Sequence, residues 1–536
     1  MGSIVVWTVV SLFRVLLLLP VLALPGASLL RAARWRGTVL EWCVLSLTMG
    51  ILIVPLGAYL LFLVGYLPVS LMLLMAVAVA ITVACALLTG GSVQVSKSDR
   101  FDALAVAAAS AIIIWNILAV PVELEAAGDT LPLVTGAGAF HFGMRPLGAT
   151  LYKHTMLTLL GPANEPLVMG TVLGLILLLT YSAGRALTSS PVPSLVAALV
   201  LSLNGTVLNF ASFITAFIAL FGGCALLHLI VKARSPRQWL LVGLALGSCY
   251  FYRKEAVLLT VPVLVHLVRG AGLRGPRFLA FCTGAALVVA PVLLGHQLNF
   301  GRILVHEAHT SPLPADECPP QYRHVLGPFS FCMYGMLNAP FYAVVVRTPG
   351  YPFPSFLYLP LLVVRTLGLV AAPLAAAGLV LRGKDEIGPV LLTWTLLMLT
   401  FLGLNENWAP PKTSLLFIAL PPLGLAVGRG LALLLRMERR EAVRAYLAAF
   451  AAVVVFVAAA GYVDAPPDAR YALHIPFMSE DVPAVHQARV DLLSPSLLPV
   501  APRLDAEWSV EYITDQHVHC TGDARMCYPA VIARQF

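Results

Sequence analysis

The chain alternates long apolar runs with short polar connections, many of which are basic. A helix needs about 20 apolar residues to cross the hydrocarbon core of a bilayer. Backbone groups inside a bilayer must be hydrogen-bonded internally, so apolar runs of that length predict helices. The pattern predicts about 14 membrane spans, near 4–24, 40–65, 69–89, 102–122, 165–187, 191–205, 208–231, 238–252, 254–269, 277–297, 355–381, 387–405, 411–429 and 444–462.

Two pairs of spans leave the count open. The pairs 191–205/208–231 and 238–252/254–269 each permit one long broken helix or two short helices. With 14 crossings, every cluster of Lys and Arg in the short loops falls on one face, whereas deleting one span moves later clusters to the other face. The count therefore predicts that the basic face is cytoplasmic and that both termini are extracytoplasmic.

The spans divide the chain into three predicted regions. Residues 1–101 hold additional N-terminal transmembrane helices, 102–462 form a transmembrane core, and 463–536 form an extracytoplasmic tail. The core carries two polar outer loops, 123–165 and 298–355. The second loop is dense in proline and aromatic residues, which predicts short helices lying at the membrane interface.

Composition narrows the class of protein. The chain is 59% hydrophobic and 11% charged, with a mean hydropathy of +0.89, whereas soluble proteins are about 25% charged. This excludes a soluble enzyme and a disordered protein. The net charge of +8 lies in short runs between apolar spans, so no nucleic-acid partner is expected. The sequence predicts an all-α polytopic membrane protein in contact with membrane lipid, and its Arg-, Ala- and Leu-rich composition favours a bacterial inner (plasma) membrane.

Four cysteines are extracytoplasmic in this topology. An even number in an oxidising compartment favours two disulfides, most simply Cys318–Cys332 and Cys520–Cys527. The alternative is a zinc site built from His517, His519, Cys520 and Cys527, although their spacing matches no strong zinc template. The other cysteines lie in spans and are expected to be small buried hydrophobes: Cys43, Cys85, Cys224, Cys249 and Cys282.

The first outer loop carries the strongest candidate chemistry. Glu123, Glu125 and Asp129 follow a predicted helix, and Arg145 and Lys153 come later in the loop. A carboxylate at the outer membrane surface can take a proton from an acceptor hydroxyl, while cations stabilise charge developing on a leaving phosphate. The alternative interpretation is that these charges only solvate a loop.

Three further polar groups interrupt or flank apolar segments. The string FYRKEAVLL places Arg253, Lys254 and Glu255 between two apolar stretches. These charges are interpreted either as a binding site for a lipid phosphate or as a structural ion pair. His306 and Glu307, in VHEAHTS, could bind substrate or a metal ion. The alternative interpretation is that they lie on the surface of a solvated loop. Lys412 lies at the outer end of a helix, where snorkelling residues also occur.

Three strings resemble a known family. They are RPLGATLYKHTMLTLLG followed by EPLVMGTVLGLILLLTYSAGRAL, then LVGLALGSCYFYRKEAVLLTVPVLVHLV, and later PPKTSLLFIALPPLGLAVGRG. Together with an acidic residue in the loop after a helix, they resemble the GT-C superfamily of integral membrane glycosyltransferases, in its protein mannosyltransferase and aminoarabinose transferase branch. The resemblance covers roughly residues 102–430.

The resemblance implies a helical bundle whose outer loops form the active site, and a sugar donor linked to polyprenyl phosphate. It implies that Asp129 is the general base, with Glu123 and Glu125 as alternatives. Further substrate-binding candidates are Arg145, Lys153, Arg253, Lys254, Glu255, His306, Glu307 and Lys412. No cofactor is required by this interpretation, and a divalent metal ion is left open.

Two departures from the family pattern concern the base and the N-terminus. The family usually shows an acidic pair followed by tyrosine, whereas this chain has Asp129-Thr130, and three additional predicted helices precede the matching core. The alternatives are a transporter or lipid flippase and a non-catalytic membrane scaffold. A transporter should show repeats and polar groups near the bilayer midplane, and this pattern is not evident in the sequence.

Overall fold

A computed structural model describes a helical bundle. It describes residues 19–63, 71–87, 94–96, 99–119, 148, 152, 156, 165–204, 207, 214–270, 275–300, 323–326, 329–332, 355–381, 383, 385–404 and 417–459. The predicted extracytoplasmic tail 463–536 and most of the predicted outer loops lie outside these residues. The predicted division into three regions is therefore not tested.

The described part of the chain contains 14 α-helices. They are α1 Leu24–Ala32, α2 Val39–Leu63, α3 Leu71–Leu87, α4 Arg100–Ala119, α5 Glu165–Thr188, α6 Pro191–Ser202, α7 Ile214–Lys232, α8 Pro236–Tyr252, α9 Thr260–Gly270, α10 Pro276–Phe300, α11 Ser355–Val380, α12 Gly388–Leu404, α13 Leu420–Leu434 and α14 Arg439–Ala459. A π-helical turn, Leu19–Ala23, precedes α1, and a 3₁₀ helix, Lys254–Leu259, separates α8 from α9.

The helical prediction is confirmed, but the number of crossings is not. Three helical segments in the described residues are long and apolar enough to cross a membrane: Val39–Gly57, Leu167–Thr188 and Pro276–Gly295. The second is 83% buried and lies at the centre of the bundle, whereas the third is only 28% buried. Leu279, Leu287 and Leu294 on this third helix are exposed. An apolar helix with an outward apolar face is typical of contact with lipid.

Both uncertain pairs of spans are two helices each. Helices α6 and α7 are separate, and α8 and α9 run in opposite directions so that Trp239 near the start of α8 contacts His266 near the end of α9. The ring centroids of these two residues are 5.7 Å apart. The single-broken-helix interpretation is therefore wrong for the α8/α9 pair.

The late helices differ most from their predicted bounds. The span predicted at 411–429 is helical only from Leu420 and continues to Leu434. Pro421 and Pro422 lie in its first turn, where proline is tolerated because the backbone N–H groups there need no partner inside the helix. Helix α11 is kinked at Gly368, whose φ of 77° places it in the left-handed region favoured by glycine.

Two short sheets qualify the all-α prediction. Strands β1 Arg36–Thr38 and β2 Gln94–Ser96 pair in parallel. Strands β3 Arg323–Leu326 and β4 Phe329–Cys332 pair antiparallel across Gly327 and Pro328. The second pair lies where short interfacial helices were predicted, so that prediction is wrong for this stretch. Val325, Phe329 and Phe331 are residue types that favour strands, and only two residues of sequence separate β3 from β4.

Helix ends that carry basic residues converge at one end of the bundle, here called the basic end. Lys232 at the end of α7 donates to the Arg36 carbonyl oxygen, at 3.0 Å. Arg436, after α13, donates to the Thr188 carbonyl oxygen at the end of α5, at 2.7 Å. Arg429 near the end of α13 pairs with Asp385 before α12, at 3.0 Å. These contacts join the N-terminal, central and late helices at the same end.

A buried carboxylate anchors the N-terminal helices to this end. Glu41, in the first turn of α2, accepts hydrogen bonds from Trp35 Nε1 at 2.9 Å and from Lys232 Nζ at 2.6 and 2.7 Å. His228 Nε2 lies 3.1 Å from the same carboxylate. The Glu41 side chain is only 8% exposed. Since an unpaired buried charge is costly, the Lys232–Glu41 ion pair fixes the position of α2 relative to α7.

Close packing against α10 supports α8, the first helix of the α8/α9 hairpin. Gly243 on α8 faces the Phe281 carbonyl on α10, and Gly284 on α10 faces the Leu240 carbonyl on α8, both too closely for a Cβ atom. Small residues allow the backbones of apolar helices to approach in this way. The contact fixes α8 against α10, and thereby positions the residue at which α8 ends.

We expect Glu41→Gln to lower the free energy of unfolding by about 2 kcal/mol, less than for a fully buried pair because Lys232 retains 27% exposure. The neutral amide leaves the Lys232 ammonium without its counter-charge. Thermal unfolding of the purified protein in detergent measures the change. Glu441→Gln is the matched control, because Glu441 also lies in the first turn of a helix but is exposed. Equal melting temperatures for the two variants would contradict the anchoring role of Glu41.

Candidate functional site

Most residues of the candidate site lie outside the described part of the chain. These residues are Glu123, Glu125, Asp129, Arg145, Lys153, His306, Glu307 and Lys412. For Lys254 and Glu255 the structure describes the backbone, which belongs to the 3₁₀ helix. Arg253 is described in full. The site is therefore built here from Arg253 and from the elements that surround it.

Arg253 marks a break in the helical backbone. Its φ of −159° and ψ of 120° are extended, and its N–H donates to the Cys249 carbonyl oxygen at 2.7 Å, which closes the last turn of α8. The residue is 9% exposed. Irregular backbone inside a membrane occurs where protein covers it or where it lines a cavity. The break turns the chain back toward the basic end and leaves Arg253 at the tip of the hairpin.

A cluster of aromatic residues surrounds this tip and joins it to the first outer loop. The Tyr152 ring meets the Tyr252 ring edge-on, with centroids 6.3 Å apart. A Cβ atom on Gly148 would lie 2.6 Å from the Phe251 carbonyl oxygen, so the backbone of this segment, which is helical at Gly148 and Tyr152, packs directly against the end of α8. Both Gly148 and Tyr152 are buried. Two segments more than 90 residues apart in sequence therefore meet beside Arg253.

Hydrogen bonds from tyrosines fasten this aromatic cluster to other helices. The Tyr252 hydroxyl donates to the Ile51 carbonyl oxygen on α2 at 2.7 Å. The Tyr59 hydroxyl, also on α2, donates to the Val292 carbonyl oxygen on α10 at 3.3 Å. The Tyr59 ring packs on Phe251, with centroids 5.5 Å apart. The tip of the hairpin is thus held rigidly between α2 and α10, as a binding site requires.

The residues at the hairpin tip are suited to binding an anion beside an apolar wall. Arginine offers five donors in a planar fork, which matches the oxygens of phosphate. The adjoining sequence adds Lys254 directly after Arg253, Lys153 directly after Tyr152, and Arg145 three residues before Gly148. The aromatic rings provide an apolar wall of the kind that lines ligand pockets.

A second polar network, which is only partly buried, was missed by the sequence analysis. Arg185 on α5 donates to Asp99 at 2.7 Å and to the Tyr181 hydroxyl at 3.1 Å, and Tyr181 donates to Asp102 at 3.0 Å. The hydrogen bond from Arg185 lowers the pKa of the Asp99 carboxyl. These residues tie the start of α4 to the end of α5. Lone acidic residues in the first turn of apolar spans, Glu41 and Asp102, were the signal that could have revealed both networks.

The predictions about metals and cysteines are tested only in part. Among the described residues, no group of three or more His, Cys, Asp or Glu side chains could hold a metal ion. In the same residues no disulfide forms, and the predicted pairings fall largely outside them. Cys224 and Cys249 are buried, as expected, whereas Cys43 is exposed on the outward side of α2 and Cys282 is half-buried. The expectation of burial is therefore wrong for Cys43.

Comparison with known proteins adds no family assignment. No protein-family model matches the chain, and no curated protein matches it. The argument about function therefore depends on the site itself.

We expect Tyr252→Phe to lower the free energy of unfolding by about 1 kcal/mol, because the variant loses one buried hydrogen bond. Tyr152→Phe is the matched control, since the Tyr152 hydroxyl is buried and has no hydrogen-bond partner among the described residues. Removing it should leave stability unchanged or slightly raised. Thermal unfolding in detergent compares the two variants. A larger loss for Tyr152→Phe than for Tyr252→Phe would contradict the bonding described for this cluster.

Proposed function

We propose that this chain is an integral membrane glycosyltransferase that moves a sugar from a polyprenyl-phosphate donor to an acceptor on the extracytoplasmic side. The proposal includes about 14 membrane-spanning helices in a bacterial inner membrane, with the basic end facing the cytoplasm. The tip of the α8/α9 hairpin then faces the extracytoplasmic side. The acceptor hydroxyl loses its proton to a carboxylate of the first outer loop.

One observation carries the proposal: Gly148 and Tyr152 of the first outer loop pack on Phe251 and Tyr252, next to Arg253. The two strings that most resemble the GT-C superfamily are therefore neighbours in space, although about 100 residues of chain separate them. Such a meeting is expected if both contribute to one active site. It is not required if each string only forms part of an apolar helix.

The roles follow from the chemistry of the residues near this meeting point. Arg253 and Lys254 bind the donor phosphate, and Arg145 and Lys153 in the outer loop add positive charge against the leaving phosphate. Asp129 acts as general base, with Glu123 and Glu125 as alternatives, because a carboxylate must accept the proton of the attacking hydroxyl. Glu255, His306, Glu307 and Lys412 are assigned to substrate binding.

The distribution of charge supports the orientation. Basic residues at the ends of α7 and α13 lie together at the basic end, as expected for the cytoplasmic side of a membrane protein. The exposed apolar side chains of α10 support contact with lipid. The transporter alternative is less well supported, because α8 and α9 form a hairpin that returns to one end. Discontinuous helices of transporters instead continue across the bilayer.

We expect Asp129→Asn to lower sugar transfer by about a hundredfold or more, since loss of a general base removes that much rate. The assay follows radiolabelled sugar from polyprenyl phosphate into product, in membranes with and without the protein. Glu441→Gln serves as control for removing an exposed carboxylate at the opposite end. Equal expression and equal melting temperature of both variants show that folding is retained. Full activity of Asp129→Asn would overturn its role as base, and absence of transfer from every donor tested with the unaltered protein would overturn the proposed function.

We expect Lys254→Ala to raise the KM for the lipid-phosphate donor about tenfold, because one charge-assisted hydrogen bond to phosphate is lost. The KM for the acceptor should change little. Initial rates measured across donor and acceptor concentrations separate the two effects. Arg440→Ala, which removes an exposed cation on α14, is the matched control. A KM for donor equal to that of the control would contradict the phosphate role of Lys254.

A further inference from the structure

A cavity of about 450 Å³ lies at the basic end of the bundle, away from the tip of the α8/α9 hairpin. The ends of α5, α7 and α9 and the starts of α8, α10 and α12 surround it. Its polar lining comes from Arg234, Trp239, His266, Arg277, Asp385 and Glu386. This cavity is separate from the site proposed for sugar transfer.

Positive charge dominates one side of the cavity. Arg234 lies just before α8, and Arg277 is the second residue of α10. Among the described residues, neither guanidinium forms an ion pair. Helices α8, α10 and α12 also begin beside the cavity, and helix N-termini carry partial positive charge. The first N–H groups of α8 and α12 are already capped by Ser235 and Asp385, so the guanidinium groups are the free donors. Together these features favour an anion such as phosphate.

The buried part of the wall contains polar atoms that need partners. Trp239 Nε1 and His266 Nδ1 are buried and have no hydrogen-bond partner among the described residues. The two residues are 2% and 5% exposed. Buried polar groups in folded proteins are almost always hydrogen-bonded, and leaving one unpaired is costly. An occupant rich in oxygen atoms supplies the acceptors that this wall lacks.

The acidic residues of the lining differ in whether they are paired. Asp385 is neutralised by Arg429, whose Nε lies 3.0 and 3.1 Å from the two carboxylate oxygens. Glu386 is exposed, and in the described part of the chain it forms no ion pair. Glu386, Arg234 and Arg277 all act electrostatically on the His266 imidazole, so these charges share one small space. The cavity thus offers two cations and one anion that form no ion pair within the described part of the chain.

We propose that this cavity binds a phosphoethanolamine head group of a membrane lipid. The phosphate meets Arg234 and Arg277, and the ammonium meets the Glu386 carboxylate. A lipid is the favoured source because the basic end lies at head-group depth in the topology proposed above, and basic pockets between membrane helices bind phospholipid head groups. The choice of a lipid rests on the membrane topology proposed above, but not on the glycosyltransferase assignment.

The test uses the full chain, purified in detergent and stripped of lipid. Its melting temperature is measured with added phosphatidylethanolamine, phosphatidylcholine, phosphatidylglycerol or free phosphoethanolamine. We expect the largest rise with phosphatidylethanolamine, because a ligand that binds only the folded state stabilises it. Phosphatidylcholine keeps the phosphate but has no N–H to donate to Glu386, and phosphatidylglycerol has no ammonium.

Substitutions in the cavity test whether the lipid that stabilises the protein binds there. Arg277→Gln and Glu386→Gln should each raise the apparent Kd for phosphatidylethanolamine about tenfold or more. Arg440→Gln, an exposed cation at the same end but outside the cavity, should leave it unchanged. Trp239→Phe, which removes the indole N–H and retains a ring, provides a second variant of the wall if Arg277→Gln does not fold.

The outcomes separate the possible ligands. A selective gain with phosphatidylethanolamine that both cavity variants lose supports the proposal. Equal gains with all lipids, or a gain that survives both substitutions, would overturn it. A gain with phosphatidylglycerol alone would reject the role of the ammonium and Glu386. An equal gain with free phosphoethanolamine would reject a lipid as the source.

Discussion

The cost of placing charge in an apolar bundle governs how this chain is organised. Only 11% of its residues are charged, and each described carboxylate that is buried among the helices has a bonded partner. Glu41 shows the principle most fully, because an ammonium, an indole N–H and an imidazole surround one carboxylate. An isolated charge there would be expelled or neutralised. The pairing therefore fixes which helix ends can be neighbours.

This constraint separates the molecule into two chemically different ends. At the basic end, ion pairs and helix N-termini surround a polar cavity, and the Arg234 and Arg277 side chains beside it form no ion pair with any described residue. At the tip of the α8/α9 hairpin, aromatic contacts and a tyrosine hydrogen bond hold the end of α8, directly before the buried Arg253. In the two proposals, the first end recognises a lipid head group, and the second binds phosphate beside an apolar wall. The two proposed sites therefore lie at opposite ends of the bundle.

Apolar run length predicted the helices well, because the long spans are fixed by local composition. The bounds of α2, α5 and α12 lie within two residues of the predicted spans. The sequence did not decide between one helix and two at 238–269, since apolarity is the same in both, and the Trp239–His266 contact decides it. The Glu41 and Asp102 networks were not predicted because their partners are distant in sequence. Contact between the first outer loop and the end of α8 is likewise a property of tertiary packing, visible only once Tyr152 and Tyr252 are placed.

The length of the α8/α9 hairpin has a consequence for the surrounding bilayer. Helix α8 has 17 residues, which corresponds to about 25 Å, whereas the hydrocarbon core of a bilayer is about 30 Å thick. If α8 crosses the bilayer as in the topology proposed above, the lipid layer around this hairpin thins, or the tip lies below the surrounding head groups. Longer acyl chains would then bring Arg253 deeper into hydrocarbon. The acyl chain length of the host membrane thereby changes the depth of the hairpin tip in the bilayer, although no residue of the tip is altered.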